Sequence, residues 1–289
     1  MKSASGFIYG IISSATFGLI PLFTVPLLDG GNGMPFMSVL TYRFIFATLF
    51  LAVMMLLRRE SVSLKPKDIL PLLLLSVFYI ISSLFLIWGY TFMSSGIATT
   101  IHFMYPVITT LIMMFIFHEQ KSVWRIGAVL TAIAGVYFLS NGDGQGSFDW
   151  VGVLVVLMSA VGYASYLVAI GQMKKLEVKG LKLTFYVFFF STLMLLIGMF
   201  SFDHLVPIDN SAEWTNLLLL AFIPTVISNL TLVEAIKRIG STLTSVLGAM
   251  EPVTAVIIGI LVFSEQMSFM IGLGIFMIIS AVTVIILKR

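Results

Sequence analysis

The chain has 289 residues, of which 59% are hydrophobic and 10% charged, with a formal net charge of +3 and no cysteine. A water-soluble domain of this length cannot cover so much apolar surface, and the lack of thiols excludes disulfides, thiol nucleophiles and thiolate metal sites. The small basic excess reads as loop charge at a membrane surface and gives no support to nucleic-acid binding.

Taken in order, the apolar residues fall into ten runs: 6–28, 36–57, 69–92, 95–117, 122–140, 150–172, 182–202, 214–236, 241–263 and 268–287. Each has about the 20 residues needed to cross some 30 Å of hydrocarbon at 1.5 Å per residue. The first run follows Met1-Lys2 and resembles a signal peptide, but it lacks a small-x-small cleavage site and continues into Pro21 and Pro26. It reads as a retained helix, with Gly6, Gly10, Ser14 and Gly18 forming one small face for close packing. The longest gaps, around Arg58–Lys67 and Phe202–Trp214, leave no room for a folded soluble domain. The expected fold is an all-α integral membrane protein with ten transmembrane helices.

Fifteen of the 16 lysines and arginines lie in the N-terminal tail, in or within one helical turn of every second gap, and in the C-terminal tail. Lys2, Arg58, Arg59, Lys121 and Arg125 open the series, and Lys288 and Arg289 close it. The alternate gaps carry acids, including Asp29, Asp143, Asp149, Asp203, Asp209 and Glu265. The positive-inside rule then predicts cytoplasmic termini. The sixteenth basic residue, Arg43, lies within the second run.

Shifting the chain by 146 residues aligns 95–139 with 241–285. Met104-x-Pro106-Val107 meets Met250-x-Pro252-Val253, and Phe117-x-Glu119-Gln120-x-Ser122 meets Phe263-x-Glu265-Gln266-x-Ser268. Two halves follow, 1–140 and 150–289, joined by a periplasmic connection at 141–149. With five helices in each half, the second enters the membrane from the opposite side, an inverted repeat suited to alternating access.

With these halves, and with a helix in each that carries a central proline and ends in a glutamate, the chain resembles the EamA-type members of the drug/metabolite transporter superfamily. The resemblance covers essentially the whole length. It implies an inner-membrane carrier of small metabolites, often an exporter of amino acids or related compounds.

Arg43 lies about 10 Å below the surface, where an arginine costs about 2.5–3.5 kcal/mol on insertion scales and should face the bundle interior. It either binds a substrate carboxylate or phosphate, or pairs permanently with an acid or helix-end carbonyls. Glu251 sits about 15 Å deep, near the midplane. It holds a substrate ammonium group or takes a coupling proton; alternatively it is a fixed partner for Arg43 or a capping acceptor.

Pro106 and Pro252 are expected at mid-helix, where they would free the carbonyls of His102 and Gly248 and act as paired hinges, or merely shape packing. Pro224 is a third candidate kink. Tyr79, His102, Tyr105, Tyr163 and Tyr166, with Trp88 nearer the outside, could stack on a flat substrate or simply fill the core. Asn229 serves either ligand contact or an interhelical hydrogen bond. Glu119 and Glu265 are expected to cap the helices that follow them, with gating as the alternative.

No Gly-x-Ser-Gly, Gly-x-Gly-Asp, His-Glu-x-x-His or phosphate-binding loop occurs, which argues against an enzyme or an ATP-driven pump. The sequence therefore predicts a secondary transporter that moves a small polar metabolite outward across the inner membrane. Its partners are the cargo, the lipid bilayer and protons as a possible coupling ion, with no cofactor or metal. A passive facilitator or channel, or a receptor or assembly subunit, is the alternative.

Overall fold

The computed structural model describes residues 2–28, 33–117, 123–140, 150–173, 176, 178, 180–202 and 205–287, and among these every regular element is helical. In chain order they are α1 (Lys2–Phe17), α2 (Ile20–Leu28), α3 (Phe36–Leu57), α4 (Pro66–Gly89), α5 (Ser95–His102), α6 (Tyr105–Phe115) and α7 (Val123–Ser140). The second half supplies α8 (Trp150–Gln172), α9 (Leu181–Phe202), α10 (Ser211–Ala221), a π-helical turn (Phe222–Ile227), α11 (Ser228–Leu247), α12 (Met250–Phe263) and α13 (Phe269–Leu287). Among the described residues, seven stretches are long and apolar enough to cross a membrane, and three shorter apolar helices, Ile126–Phe138, Met250–Phe263 and Phe269–Val284, fall in the remaining runs.

Three of the expected helices are broken rather than bent. The chain leaves helix at Gly18-Leu19, Phe103-Met104 and Gly248-Ala249, and a proline lies in the first turn of each helix that follows: Pro21, Pro106 and Pro252. A missing N–H costs nothing in a first turn, because that donor has no intrahelical partner anyway. The expectation of mid-helix kinks at Pro106 and Pro252 is corrected accordingly. Nor is the carbonyl of Gly248 free, since it accepts the Glu251 N–H at 2.9 Å.

The eighth gap falls inside the range of α11, yet the chain reverses there. A straight helix would hold Ser228 and Leu247 about 28 Å apart. Instead Ser13 exchanges hydrogen bonds with Ser228 at 2.9 and 3.0 Å, while Gly10, only three residues away on α1, packs against Leu247. One small face of α1 therefore receives both arms of the turn, with Gly6 against Arg238 and Ile239.

The 146-residue offset reappears in the geometry. It carries α3 onto α9 and α7 onto α13 to within about a residue at each end. It also carries the Ser13–Ser228 bond onto the bond from the Ser159 hydroxyl to the Ser82 carbonyl, at 2.7 Å. α1 packs on α11 as α8 packs on α4, while α3 pairs with α9 and α7 with α13. Exchanging the halves leaves this set of pairings unchanged.

The fourth and ninth runs cross in opposite senses. Ser95, at the start of α5, touches Glu265, just beyond the end of α12, and Tyr105 meets Glu251 midway. Leu56, Leu70, Leu261, Phe269 and Phe276 stay exposed on the outer surface, as suits helices that face lipid.

Candidate functional site

The centre of the bundle contains a connected set of buried polar groups, and its foundation is Pro224. That residue has no N–H, so the carbonyl of Leu220, four positions back, loses its helical donor. The Thr225 hydroxyl supplies the replacement, donating to Leu220 at 2.8 Å within the π-helical turn. Its oxygen is then free to accept the Nε–H of Arg43, also at 2.8 Å. Inserted π turns recur at functional sites because they redirect side chains in this way.

Arg43 is 1% exposed and faces the interior, not lipid. Its two terminal nitrogens are buried and make no hydrogen bond, and its Cζ lies 6.0 Å from the Phe44 ring centroid, at the limit of a cation–π contact. Asn229 donates to the Thr225 carbonyl at 2.7 Å and to the Tyr79 hydroxyl at 3.2 Å, so its bonds are both local and interhelical.

Glu251 occupies the first turn of α12, where the helix dipole favours a carboxylate. One oxygen accepts the Tyr105 hydroxyl at a long 3.4 Å; the other is buried without a partner. Arg43 and Glu251 form no ion pair, so neither satisfies the other's unpaired atoms. Gly18 lies directly on the Glu251 backbone. An added Cβ would come within 2.6 Å of that carbonyl oxygen.

Aromatic rings link the two charged residues. Centroids are 5.7 Å apart for Phe44 and Tyr79, 5.2 Å for Tyr79 and Tyr166, 6.1 Å for Tyr166 and Tyr163, and 4.7 Å for Tyr163 and Tyr105. His102 joins this row against Tyr163 at 5.6 Å, and its Nδ1 meets the Ser159 hydroxyl at 2.7 Å.

Trp88 stands elsewhere, half-buried and stacked on Phe36 at 5.6 Å among Phe85 and Phe92. Contrary to the expected cap on its own following helix, Glu265 reaches across to α5. Its carboxylate accepts the Ser95 N–H at 2.8 Å, the Ser95 hydroxyl at 2.7 Å and the Gly96 N–H at 3.3 Å, while Ser268 caps α13 through the Ile271 N–H. Glu119 lies outside the described residues.

Thr225, Ser159 and Phe17, whose ring stacks on His102 at 6.1 Å, are not among the candidates that the sequence offers. Thr225 beside a mid-run proline was a usable signal. The other two have none, because a serine or phenylalanine within an apolar run is ordinary.

Among the described residues no group of three or more His, Asp or Glu is placed to hold a metal. A solved crystal structure matches 97% of this chain and 96% of its own length, with a TM-score of 0.69 at 18% identity, which establishes a shared fold. Comparison with curated proteins finds no match. The model of the EamA-like transporter family matches residues 4–141 and again 150–287, the two matches standing at the internal offset of 146. Covering nearly the whole chain in two copies, they show that it belongs to the EamA-like transporter family, within the drug/metabolite transporter superfamily, and is a multi-pass membrane transporter.

Proposed function

We propose that the chain is a secondary carrier that exports a small zwitterionic metabolite, such as an amino acid, across the inner membrane by alternating access. The observation that carries this reading is a buried cation and a buried acid, each with unpaired atoms and neither paired with the other. Leaving such groups unsatisfied in a low-dielectric interior is costly, and a ligand carrying both a carboxylate and an ammonium group would relieve both ends at once. Arg43 would take the carboxylate through its two terminal nitrogens, and Glu251 the ammonium. The aromatic row between them, with Tyr79, Tyr105, Tyr163 and Tyr166, would shape the cavity; Trp88, stacked on Phe36, would lie outside it.

Alternating access on this reading uses two halves, 1–140 and 150–289, threaded in opposite senses with both termini cytoplasmic and the 141–149 connection periplasmic. Support comes from the opposite crossing of the fourth and ninth runs, where the repeat-equivalent residues Tyr105 and Glu251 meet. The helix breaks before Pro106 and Pro252 would serve as hinges, since main chain outside a regular helix bends at little cost.

Transport in proteoliposomes, screened with a panel of amino acids, tests the site. Arg43→Ala should reduce flux by about 30-fold or more, the equivalent of roughly 2 kcal/mol for a lost charged hydrogen bond, while leaving membrane insertion intact. Unchanged flux would remove Arg43 from the site. Proton coupling is assigned to Glu251, so Glu251→Gln should abolish any response of flux to an imposed pH gradient. A variant that still responds would place the proton elsewhere.

A further inference from the structure

His102 ends α5 and is fully buried. The hydroxyl of Ser159 donates its one hydrogen to the Ser82 carbonyl at 2.7 Å, so toward His102 it can only accept. The hydrogen in the 2.7 Å contact between Ser159 and the imidazole must therefore sit on Nδ1. In a neutral imidazole this leaves Nε2 as a bare lone-pair acceptor, and that nitrogen is buried with no hydrogen-bond partner. The ring is held by Phe17, Tyr105 and Tyr163 at centroid distances of 6.1, 5.7 and 5.6 Å, so it has little freedom to aim elsewhere.

The internal repeat separates structure from selectivity here. The bridge from Ser159 to Ser82 has its counterpart in Ser13 and Ser228, where the position equivalent to His102 is Gly248. That second bridge stands without an imidazole. His102 is thus an addition to a structural contact and is not required by it, and it sits beside the Tyr105 that touches Glu251.

We propose that His102 is a fixed hydrogen-bond acceptor of the binding site, with its tautomer set by Ser159, and that it selects cargo whose side chain carries an N–H or O–H donor. Ser159 is then a positioning residue. The inference rests on the carrier reading above for its cargo and on hydrogen-bond geometry alone for the tautomer. A site built to bond a hydroxyl rejects the analogue that lacks it, because its own buried acceptor is then left unpaired.

Two measurements test it on the full chain. In lipid nanodiscs with nitrogen-15 histidine, His102→Asn identifies the His102 signals among the three histidines. Wild type should show a proton on Nδ1 and a bare Nε2; Ser159→Ala should mix the tautomers, and Ser159→Thr should restore the wild-type pattern. A proton on Nε2, or an imidazolium, in wild type would overturn the proposal.

In proteoliposomes, L-threonine is compared with L-valine, and L-tyrosine with L-phenylalanine. The hydroxylated member of a transported pair should be favoured by about tenfold or more. That preference should fall toward parity in Ser159→Ala and return in Ser159→Thr. Equal transport within a pair by wild type overturns donor selection. If only amino acids without a side-chain donor move, donor selection falls alone. If no amino acid of the panel moves, the amino-acid cargo of the proposed function falls and donor selection falls with it, whereas the tautomer stands or falls on the nitrogen spectrum.

Discussion

Thr225 holds both ends of the arginine's anchorage: it covers the carbonyl left open by Pro224 and accepts the Arg43 Nε–H. Thr225→Val keeps the shape but leaves a buried carbonyl and a buried N–H without partners, at about 1–3 kcal/mol. Thermal unfolding in nanodiscs should show that loss, with Thr225→Ser close to wild type. An equal effect of both variants would mean that packing, not the hydroxyl, matters at this position. Arg43 itself was legible in the sequence, because an isolated charge inside an apolar run must find the interior. Its partner was not, since any of several threonines and serines in apolar runs could have supplied the oxygen.

Helices in this bundle are divided by their contacts as much as by their prolines. Gly18 sits at the break between α1 and α2, where a Cβ would stand 2.6 Å from the Glu251 carbonyl oxygen and 2.7 Å from the Thr254 Cβ. Main chain cannot yield there as a flexible side chain would, so Gly18→Ala should destabilise the protein by about 1–3 kcal/mol through overpacking. It should also disturb flux through the displaced Glu251 segment. A wild-type melting temperature in that variant would show that the first and ninth runs are not packed this tightly. The small face of α1 could be read from the four-residue spacing of Gly6, Gly10, Ser14 and Gly18. What it would pack against could not, because spacing describes one helix at a time. The same limit explains Glu265: its position at a helix end was plain, but the α5 terminus that it caps lies 169–170 residues away in sequence.

For the whole molecule, the proposed threading is open to direct labelling, because a chain with no cysteine gives no background. Ser147→Cys, in the 141–149 connection, should react with a membrane-impermeant maleimide in intact cells. Ser63→Cys, in the basic second gap, should react only after the membrane is opened. Equal labelling of both from outside would defeat the inverted arrangement. Composition, run length and the 146-residue offset determined by themselves that this is a ten-run helical membrane protein in two related halves, since hydrocarbon thickness and backbone hydrogen bonding leave few other solutions. Only the tertiary structure decided which buried polar atoms find partners. That Arg43 and Glu251 stay apart, that Pro224 builds the seat of the arginine, and that His102 keeps one nitrogen bare all depend on contacts between distant helices. Such contacts are set by how side chains interlock across the bundle, and no spacing along a single run encodes them.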